Sequence, residues 1–417
     1  MDLSPSPYGQ ELLDSMRAFV AEDVIPAEAR HAVELAELRA AGDPHAEPPV
    51  LTELKHRARS LGLWNLFLSH PAPAHLGRGG GVSVLDYARL AEETGRSPLL
   101  APEATNGSAP DAGNMELLLE HGTSAQQNAW LAPLLEGTMR SAFLMTEPDV
   151  ASSDPHNIRT SIRREGDEYI IDGRKWWSSG AASPRCAITI VMGVTDPGAP
   201  RGQRHSMVLV PLGTPGLEIV REVPVFGRHD QAGGHPEVRL DGVRVPIGNL
   251  VGEQGEGFRI AQARLGPGRI HHCMRLIGMA ERALELMCTR ALEREAFGVP
   301  IADQGIVRHR IAQARVRIDQ ARLLTLSAAA RIDTEGARAA RDDIAAIKVV
   351  APSTALWVID QAIQVHGAAG VSDDTPLAMM WSHARTLRIA DGPDEVHEMV
   401  LARRELARHR VSRGDGA

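Results

Sequence analysis

The sequence predicts an α+β chain with an N-terminal helical domain (residues 1–138), a middle antiparallel β domain (139–250) and a C-terminal four-helix bundle (251–410), then a tail (411–417). Three observations predict it. Aromatic residues are only 4% of the chain although 43% is apolar, so Ala, Leu, Ile, Val and Met must build the core, which suits packed helices. Apolar residues recur at helical spacing at both ends of the chain, whereas the middle breaks into short runs separated by Gly, Pro and Asp. The length of 417 residues leaves room for two or three domains with sizeable cores.

In the first zone Leu12, Met16 and Val20, then Leu85, Ala88, Leu90 and Ala91, keep a helical step, with loops at AAGDPHAEPPV and HPAPAHLGRGGGV. The glycine cluster Gly77 to Gly81 lacks the strand-then-helix setting of a dinucleotide fingerprint and reads as loop. The second zone holds RSAFLMT, EYIIDG, CAITIVMG, SMVLVPL, LEIVREVPV and EVRLDGVRVP, each of strand length. In the third, Cys273, Leu276, Ile277, Ala280, Ala283, Leu284, Met287 and Ala291 hold the three-and-four step for five turns. Further stripes run through Ile306, Ile311, Ala314, Ile318 and Ala321, through Ile347, Val350, Val358, Ile359, Ala362 and Ile363, and through Val396, Met399 and Val400. Four such helices make an antiparallel bundle. The tail VSRGDGA is polar and is expected to be loose.

Composition excludes several functions. Lys and Arg number 45 against 53 Asp and Glu, a net charge of -8, with no basic run to exchange counterions with a phosphate backbone, so nucleic acid is not an expected partner. Cys186, Cys273 and Cys288 are odd in number, form no CxxC pair and sit in apolar stretches, which reads as buried free thiols in a reducing compartment. The N-terminus lacks a basic and apolar leader, and no apolar stretch reaches membrane-spanning length, so a soluble cytoplasmic protein without a membrane span is expected.

Phosphate-loop, GxSxG and HExxH signatures are absent, and the adjacent His271 and His272 point apart on a helix, so they cannot share a metal. Residues 143–154, FLMTEPDVASSD, carry a strand into a loop dense in hydroxyls and carboxylates, which is also how an ordinary strand ends. Residues 174–180, RKWWSSG, put two indoles at another strand end, where one can pack inward while the other covers a bound planar group. In LEREAFG, 292–298, Arg294, Phe297 and Gly298 close a helix, and a solvated Arg before a Gly stop explains them equally well. In QVHGAAG, 364–370, Gly367 and Gly370 permit close backbone approach or simply stop a helix. In RIADGPDEVH, 388–397, Asp391 reads either as the N-terminal cap of the last helix or as a catalytic base.

Taken in order, these motifs resemble the acyl-CoA dehydrogenase family of flavoenzymes over nearly the whole chain, and ADGPDEVH resembles the branch that animals carry behind a kinase-like domain. A chain of this length has no room for that kinase. The resemblance implies a non-covalent FAD. Phe143, Met145 and Thr146 would line the isoalloxazine, Trp177 would cover it, and Ser178 and Ser179 would stand beside it, with Ser179 near flavin N5. Arg294 and Phe297 would reach the cofactor of a neighbouring subunit, with Gln364, Gly367 and Ala368 at its adenosine end and Pro393 and Glu395 nearby. A homodimer or homotetramer follows, with electron-transfer flavoprotein as the electron acceptor.

The implied reaction removes hydrogen across the α and β carbons of a fatty acyl-CoA, as in β-oxidation, giving the trans-2-enoyl thioester. Asp391 would take the α proton, flavin N5 would accept hydride, and Ser152, Ser153, Arg269 and Gly392 would touch the substrate. Burial beside flavin and acyl chain would raise the base's pKa. Most relatives use Glu, so Asp391 is one methylene short, and a misplacement of about 1 Å can cost about a hundredfold in rate. The alternative base position of some relatives falls on Gly268, and Ala296 replaces the Thr of ERxTFG. The TEP loop also carries one extra residue, which leaves the register of Ser152 and Ser153 open by one. Two other readings of the same fold are a nitroalkane oxidase, which also uses an Asp base, and a non-enzymatic DNA-binding member, which the net charge disfavours.

Overall fold

The computed structural model describes residues 2–68, 76, 80–229 and 233–412. Residues 77–79 of the glycine cluster and 413–417 of the tail lie outside the described residues. Helices of ten residues or more are α1 (Pro7–Ala18), α2 (Ile25–Ala40), α3 (Pro49–Ser60), α4 (Val84–Gly95), α5 (Asp111–His121), α6 (Gly257–Glu293), α7 (Gly305–Glu335), α8 (Arg341–His366), α9 (Leu377–Thr386) and α10 (Asp394–Ser412). Strands β1 to β8 span Arg140–Leu144, Ser161–Glu165, Glu168–Lys175, Cys186–Val194, His205–Pro211, Leu217–Glu222, Pro236–Pro246 and Leu250–Val251. A two-stranded hairpin follows α6, with β9 (Glu295–Ala296) paired to β10 (Val299–Pro300). Among the described residues no helix is long and apolar enough to cross a membrane.

Two compact units cut across the N-terminal helical zone: one comprises residues 1–20, 83–101 and 266–417, the other 21–82 and 102–265. The second unit is built on a sheet of order β6-β7-β3-β2-β4-β5-β8, with β1 beside β4. The expected antiparallel sheet is corrected here to a mixed one, because β1 runs parallel to β4. Parallel pairing needs a long crossover, and the stretch from β1 through β2 and β3 supplies it. Alternating side chains bury Ile162, Ile171, Val191, Val208, Val210, Val238 and Val243 in one core. Beside it lies a buried charge network in which Arg140 meets Asp111 and Glu103, and Lys55 Nζ lies 3.1 Å from Glu103 Oε1. Burial alone would raise the Glu103 carboxyl, but Arg140 and Lys55 hold it down to about 2.

In the first unit all eight residues of the α6 stripe, from Cys273 to Ala291, are buried. Each large aliphatic side chain so buried is worth roughly 1.5–3 kcal/mol. Where α6 passes α4 the backbones nearly touch, since a Cβ on Gly278 would sit 1.9 Å from the Glu92 carbonyl. Only glycine admits this crossing. The other stripes hold in part: Ala314, Ile318, Ala321, Ile347, Val358, Ile359 and Ala362 are buried, but Ile306 is 58% exposed and Met399 42% exposed. Periodicity identifies a helical face without saying which neighbour covers its ends. A short fifth helix, α9, joins the four expected.

Candidate active site

The TEP loop and the double-Trp strand end are one structure. Lys175, fully buried at the end of β3, extends Nζ to the carbonyls of Met145 at 2.8 Å and Met192 at 2.7 Å and to Glu147 Oε1 at 3.0 Å. Glu147 also accepts from the Thr160 hydroxyl at 2.6 Å and from the backbone N–H groups of Arg159 and Thr160 at 2.8 Å each. Burial opposes its charge, yet Lys175 and Thr160 hold its carboxyl below the usual range. Burial likewise pushes the Lys175 ammonium down to about 8. Around this pair Thr146 donates its hydroxyl to the Trp176 carbonyl at 2.7 Å, and Trp176 N–H returns a bond to the Thr146 carbonyl at 3.1 Å. The two motifs thus depend on each other.

Beyond that anchor, Trp177 turns into the left-handed region with φ 53° and is 38% exposed, whereas Trp176 is half-buried. Its ring lies 5.3 Å from that of His235, whose Nδ1 is 2.8 Å from the Ser179 hydroxyl. Burial holds His235 below its ordinary pKa. Ser178 is buried with a hydroxyl that has no partner among the described residues. Phe143, half-buried on β1, has the Arg264 guanidinium 4.3 Å from its ring centre. Arg264 and His235 carry no motif and were missed in the sequence. Ser152 is committed inside its own loop, accepting from Glu147 N–H at 2.9 Å, while Ser153 is exposed.

The second cluster forms in the unit containing the bundle. Asp391 sits at φ 59° and Gly392 at φ 101°, just before α10. Such a backbone is costly away from glycine and persists only where surroundings enforce it. They do so here. Arg269 Nε donates to the Asp391 carbonyl at 3.2 Å, and His397 Nε2 lies 3.3 Å from the same oxygen. Buried Lys348 extends Nζ to the carbonyls of Leu387 at 2.7 Å and Ala390 at 2.9 Å. A Cβ on Gly392 would come within 2.9 Å of His397 Nε2, so the residue after Asp391 must be glycine. The helix itself starts later than the cap reading has it: the N–H groups of Val396 and His397 go to the Pro393 carbonyl.

The Asp391 carboxylate lies 3.4 Å from His272 Nε2. Burial depresses both His272 and His397 to about 4, so both imidazoles are neutral near pH 7. His271, on the other side of α6, meets Tyr87 edge-on at 4.6 Å, so the adjacent histidines do point apart. Neither His272 nor Lys348 belongs to a motif. Their only sequence signal is polarity inside apolar stripes.

Models of the acyl-CoA dehydrogenase N-terminal, middle and C-terminal domains match residues 6–138, 142–243 and 255–406 in that order. The chain belongs to the acyl-CoA dehydrogenase family. It is 55% identical to the family member FadE2 of Mycobacterium tuberculosis over 98% of both chains. It is 53% identical to acyl-CoA dehydrogenase family member 11 of Gallus gallus over 96% of this chain but only 51% of that protein. A solved relative from Mycobacterium abscessus shares 51% identity with a TM-score of 0.93, covering 97% of this chain and 100% of that one. The chain is accordingly an oxidoreductase of this family.

For this acyl-CoA dehydrogenase the remaining expected cofactor residues lie on exposed edges. Arg294 is exposed, and Phe297, at φ 56° on the β9–β10 turn, is 99% exposed. Gln364, Gly367 and Ala368 are exposed at the end of α8, with Gly367 at φ 65°. Glu395 is exposed and Pro393 half-buried at the start of α10. Cys186 and Cys273 are buried as expected, with burial pushing both thiols up to about 12, while Cys288 is partly exposed.

Proposed function

We propose that the chain is an FAD-dependent dehydrogenase of fatty acyl-CoA thioesters, with Asp391 as the base that removes the α proton. The observation that carries this reading is the Asp391 loop: a carboxylate in a left-handed turn, its carbonyl tied to Arg269 and His397 and its side chain beside neutral His272. A capping carboxylate requires none of these ties. An Asp one methylene shorter than the family's Glu needs a loop held in a fixed place, and Arg269, His397 and Lys348 hold it.

The residues suit FAD. An exposed indole in a left-handed turn, a buried Ser178 hydroxyl without a partner, an exposed phenyl on a hairpin and an exposed Gly367 backbone are features that a planar, phosphate-bearing ligand would cover. Phe143, Met145, Thr146, Trp177, Ser178 and Ser179 would hold the ring system. Arg294, Phe297, Gln364, Gly367 and Ala368 would hold a cofactor shared with a second subunit of a homodimer or homotetramer, with Pro393 and Glu395 nearby. When bound, FAD supplies the hydride acceptor that the side chains lack.

The residues of the chain do the rest. Asp391 takes the α proton, and His272, neutral and 3.4 Å away, orients its carboxylate without neutralising it. Ser153, exposed on the TEP loop, is better placed to meet the coenzyme A arm than Ser152. Gly392 leaves room beside the base. Electron-transfer flavoprotein is the expected acceptor and β-oxidation the expected setting.

Anaerobic addition of acyl-CoAs of varied chain length to the purified yellow protein tests the reading, with loss of the flavin absorbance expected for at least one. An FAD-loaded enzyme that no acyl-CoA reduces, but that nitroethane does, would replace it with the nitroalkane oxidase reading.

A further inference from the structure

The proposed reaction leaves one proton without a route. Asp391 takes the α proton and flavin N5 takes a hydride, so N5 still holds a proton once two electrons have passed to the acceptor. That proton must leave before the flavin can be oxidised again, and no residue assigned so far receives it.

Three neighbouring segments of the β domain offer a path. Ser178 N–H donates to the Pro236 carbonyl at 3.1 Å and Gly180 N–H to the Gly234 carbonyl at 3.0 Å, which sets Ser179 beside the start of β7. On the other side, Glu222 at the end of β6 pairs with Pro236, and Val223 N–H donates to the His235 carbonyl at 3.2 Å. Ser179, His235 and Glu222 therefore stand on three adjacent segments. Ser179 Oγ lies 2.8 Å from His235 Nδ1. The charge that acts on the His235 ring is the Glu222 carboxylate, which lies over Gly234, where a Cβ would collide with it. Glu222 Oε2 in turn lies 2.9 Å from Nδ1 of the exposed His229 and 3.8 Å from Nε2 of His45. Arg39 donates to the His229 carbonyl and holds the outer end in place.

Each member is of the right type. A hydroxyl both accepts and donates a proton, a neutral imidazole does so through its two nitrogens, and a carboxylate accepts. Burial holds His235 below its ordinary pKa, so its ring is neutral near pH 7. With Nδ1 accepting from the Ser179 hydroxyl, the ring carries its proton on Nε2. Packing of Ser179 against a histidine requires neither the carboxylate behind that ring nor the exposed imidazole beyond it.

We infer that Ser179, His235 and Glu222 form a proton exit from flavin N5 to solvent, with His229 as its outer acceptor. Ser179 Oγ takes the N5 proton as its own hydroxyl proton moves to His235 Nδ1. The imidazolium so formed, favoured by the Glu222 charge, gives its Nε2 proton to that carboxylate, which passes it to His229 and water. Exchange with water returns the ring to its starting tautomer. The two electrons leave separately to electron-transfer flavoprotein, so the flavin ends oxidised and one proton reaches solvent per turnover. The inference rests on the reading of Ser179 as the hydroxyl beside N5.

The test separates the flavin from the thioester. The flavin of the FAD-loaded protein is reduced photochemically and mixed with excess ferrocenium, a one-electron oxidant, and return of the yellow absorbance is followed by stopped flow. His235→Gln and Glu222→Gln should each slow that return about a hundredfold, the scale of losing a positioned proton-transfer group, and imidazole in the buffer should restore most of the rate. Unchanged rates, or slow ones that imidazole does not restore, overturn the proposal. A second measurement needs no flavin: exchange of the His235 ring N–H with solvent, followed by NMR in FAD-free protein carrying isotope-labelled histidine, should slow in Glu222→Gln. Unchanged exchange overturns the route itself. Slowed exchange with unchanged flavin reoxidation overturns the proposal at its other end, by removing Ser179 from N5.

Discussion

The Nε2 atom of His272 on α6 lies 3.4 Å from the Asp391 carboxylate on the loop before α10, and burial keeps that imidazole neutral. A neutral ring can hold the carboxylate in one orientation while leaving its basicity intact, as a charged partner could not. We expect His272→Ala to lower kcat roughly tenfold to a hundredfold, the cost of slight misplacement, with FAD content and KM retained. His272→Gln, which keeps a donor, should recover part of the loss. A drop in thermal stability with unchanged kcat would show a packing role only.

Acidification should loosen this cluster. His272 and His397 have folded pKa values of about 4 against an ordinary 6.5, so between these limits the unfolded chain binds protons that the folded one excludes. The contribution of these two histidines to stability is therefore full above pH 6.5 and is lost as pH drops toward 4. Thermal midpoints measured from pH 8 to 4.5 should fall through that window, and the fall should be smaller in a His272→Gln, His397→Gln double variant. Identical pH profiles would refute the assignment.

Much of this organisation was legible in the sequence. The α6 stripe from Cys273 to Ala291 is buried residue for residue, because a long amphipathic helix advertises its own face. The TEP and RKWWSSG motifs pointed to a site, but not to the Glu147–Lys175 pair that joins them, since cross-strand partners have no fixed sequence spacing. For the same reason His272 and Arg264 were unread, and β1 was taken for an antiparallel strand although it lies parallel to β4. Ile306 and Met399 matched their stripes and are exposed, because periodicity does not report what lies opposite. The residues around Asp391 favoured a helix cap over a base, and neither its left-handed backbone nor its ties to Arg269 and His397 can be read from sequence spacing.

Arg140 should be the costliest single charge to remove. It serves buried Asp111 and Glu103 together, and truncating one member of a buried pair typically costs about 3–5 kcal/mol. Urea denaturation of Arg140→Met should show a loss of this order. Adding Asp111→Asn and Glu103→Gln should restore part of it, and a single-variant loss below about 1 kcal/mol would mean that the network is solvent-compensated.

Phe297 should behave oppositely. With 99% of it exposed, Phe297→Ala should leave the stability of the FAD-free protein within about 0.5 kcal/mol of wild type. FAD binding should weaken if the phenyl packs on the cofactor of a second subunit. Apo stability and FAD affinity, measured side by side, separate the two effects, and unchanged affinity would remove Phe297 from the cofactor site.

The most direct test of the central claim is anaerobic flavin reduction in Asp391→Asn, mixed with an acyl-CoA that bleaches the wild type. The amide keeps the size of the side chain but cannot take a proton. The expected result is a yellow, folded protein with wild-type FAD content whose flavin is no longer reduced by the thioester; reduction at the wild-type rate would show that Asp391 is not the base.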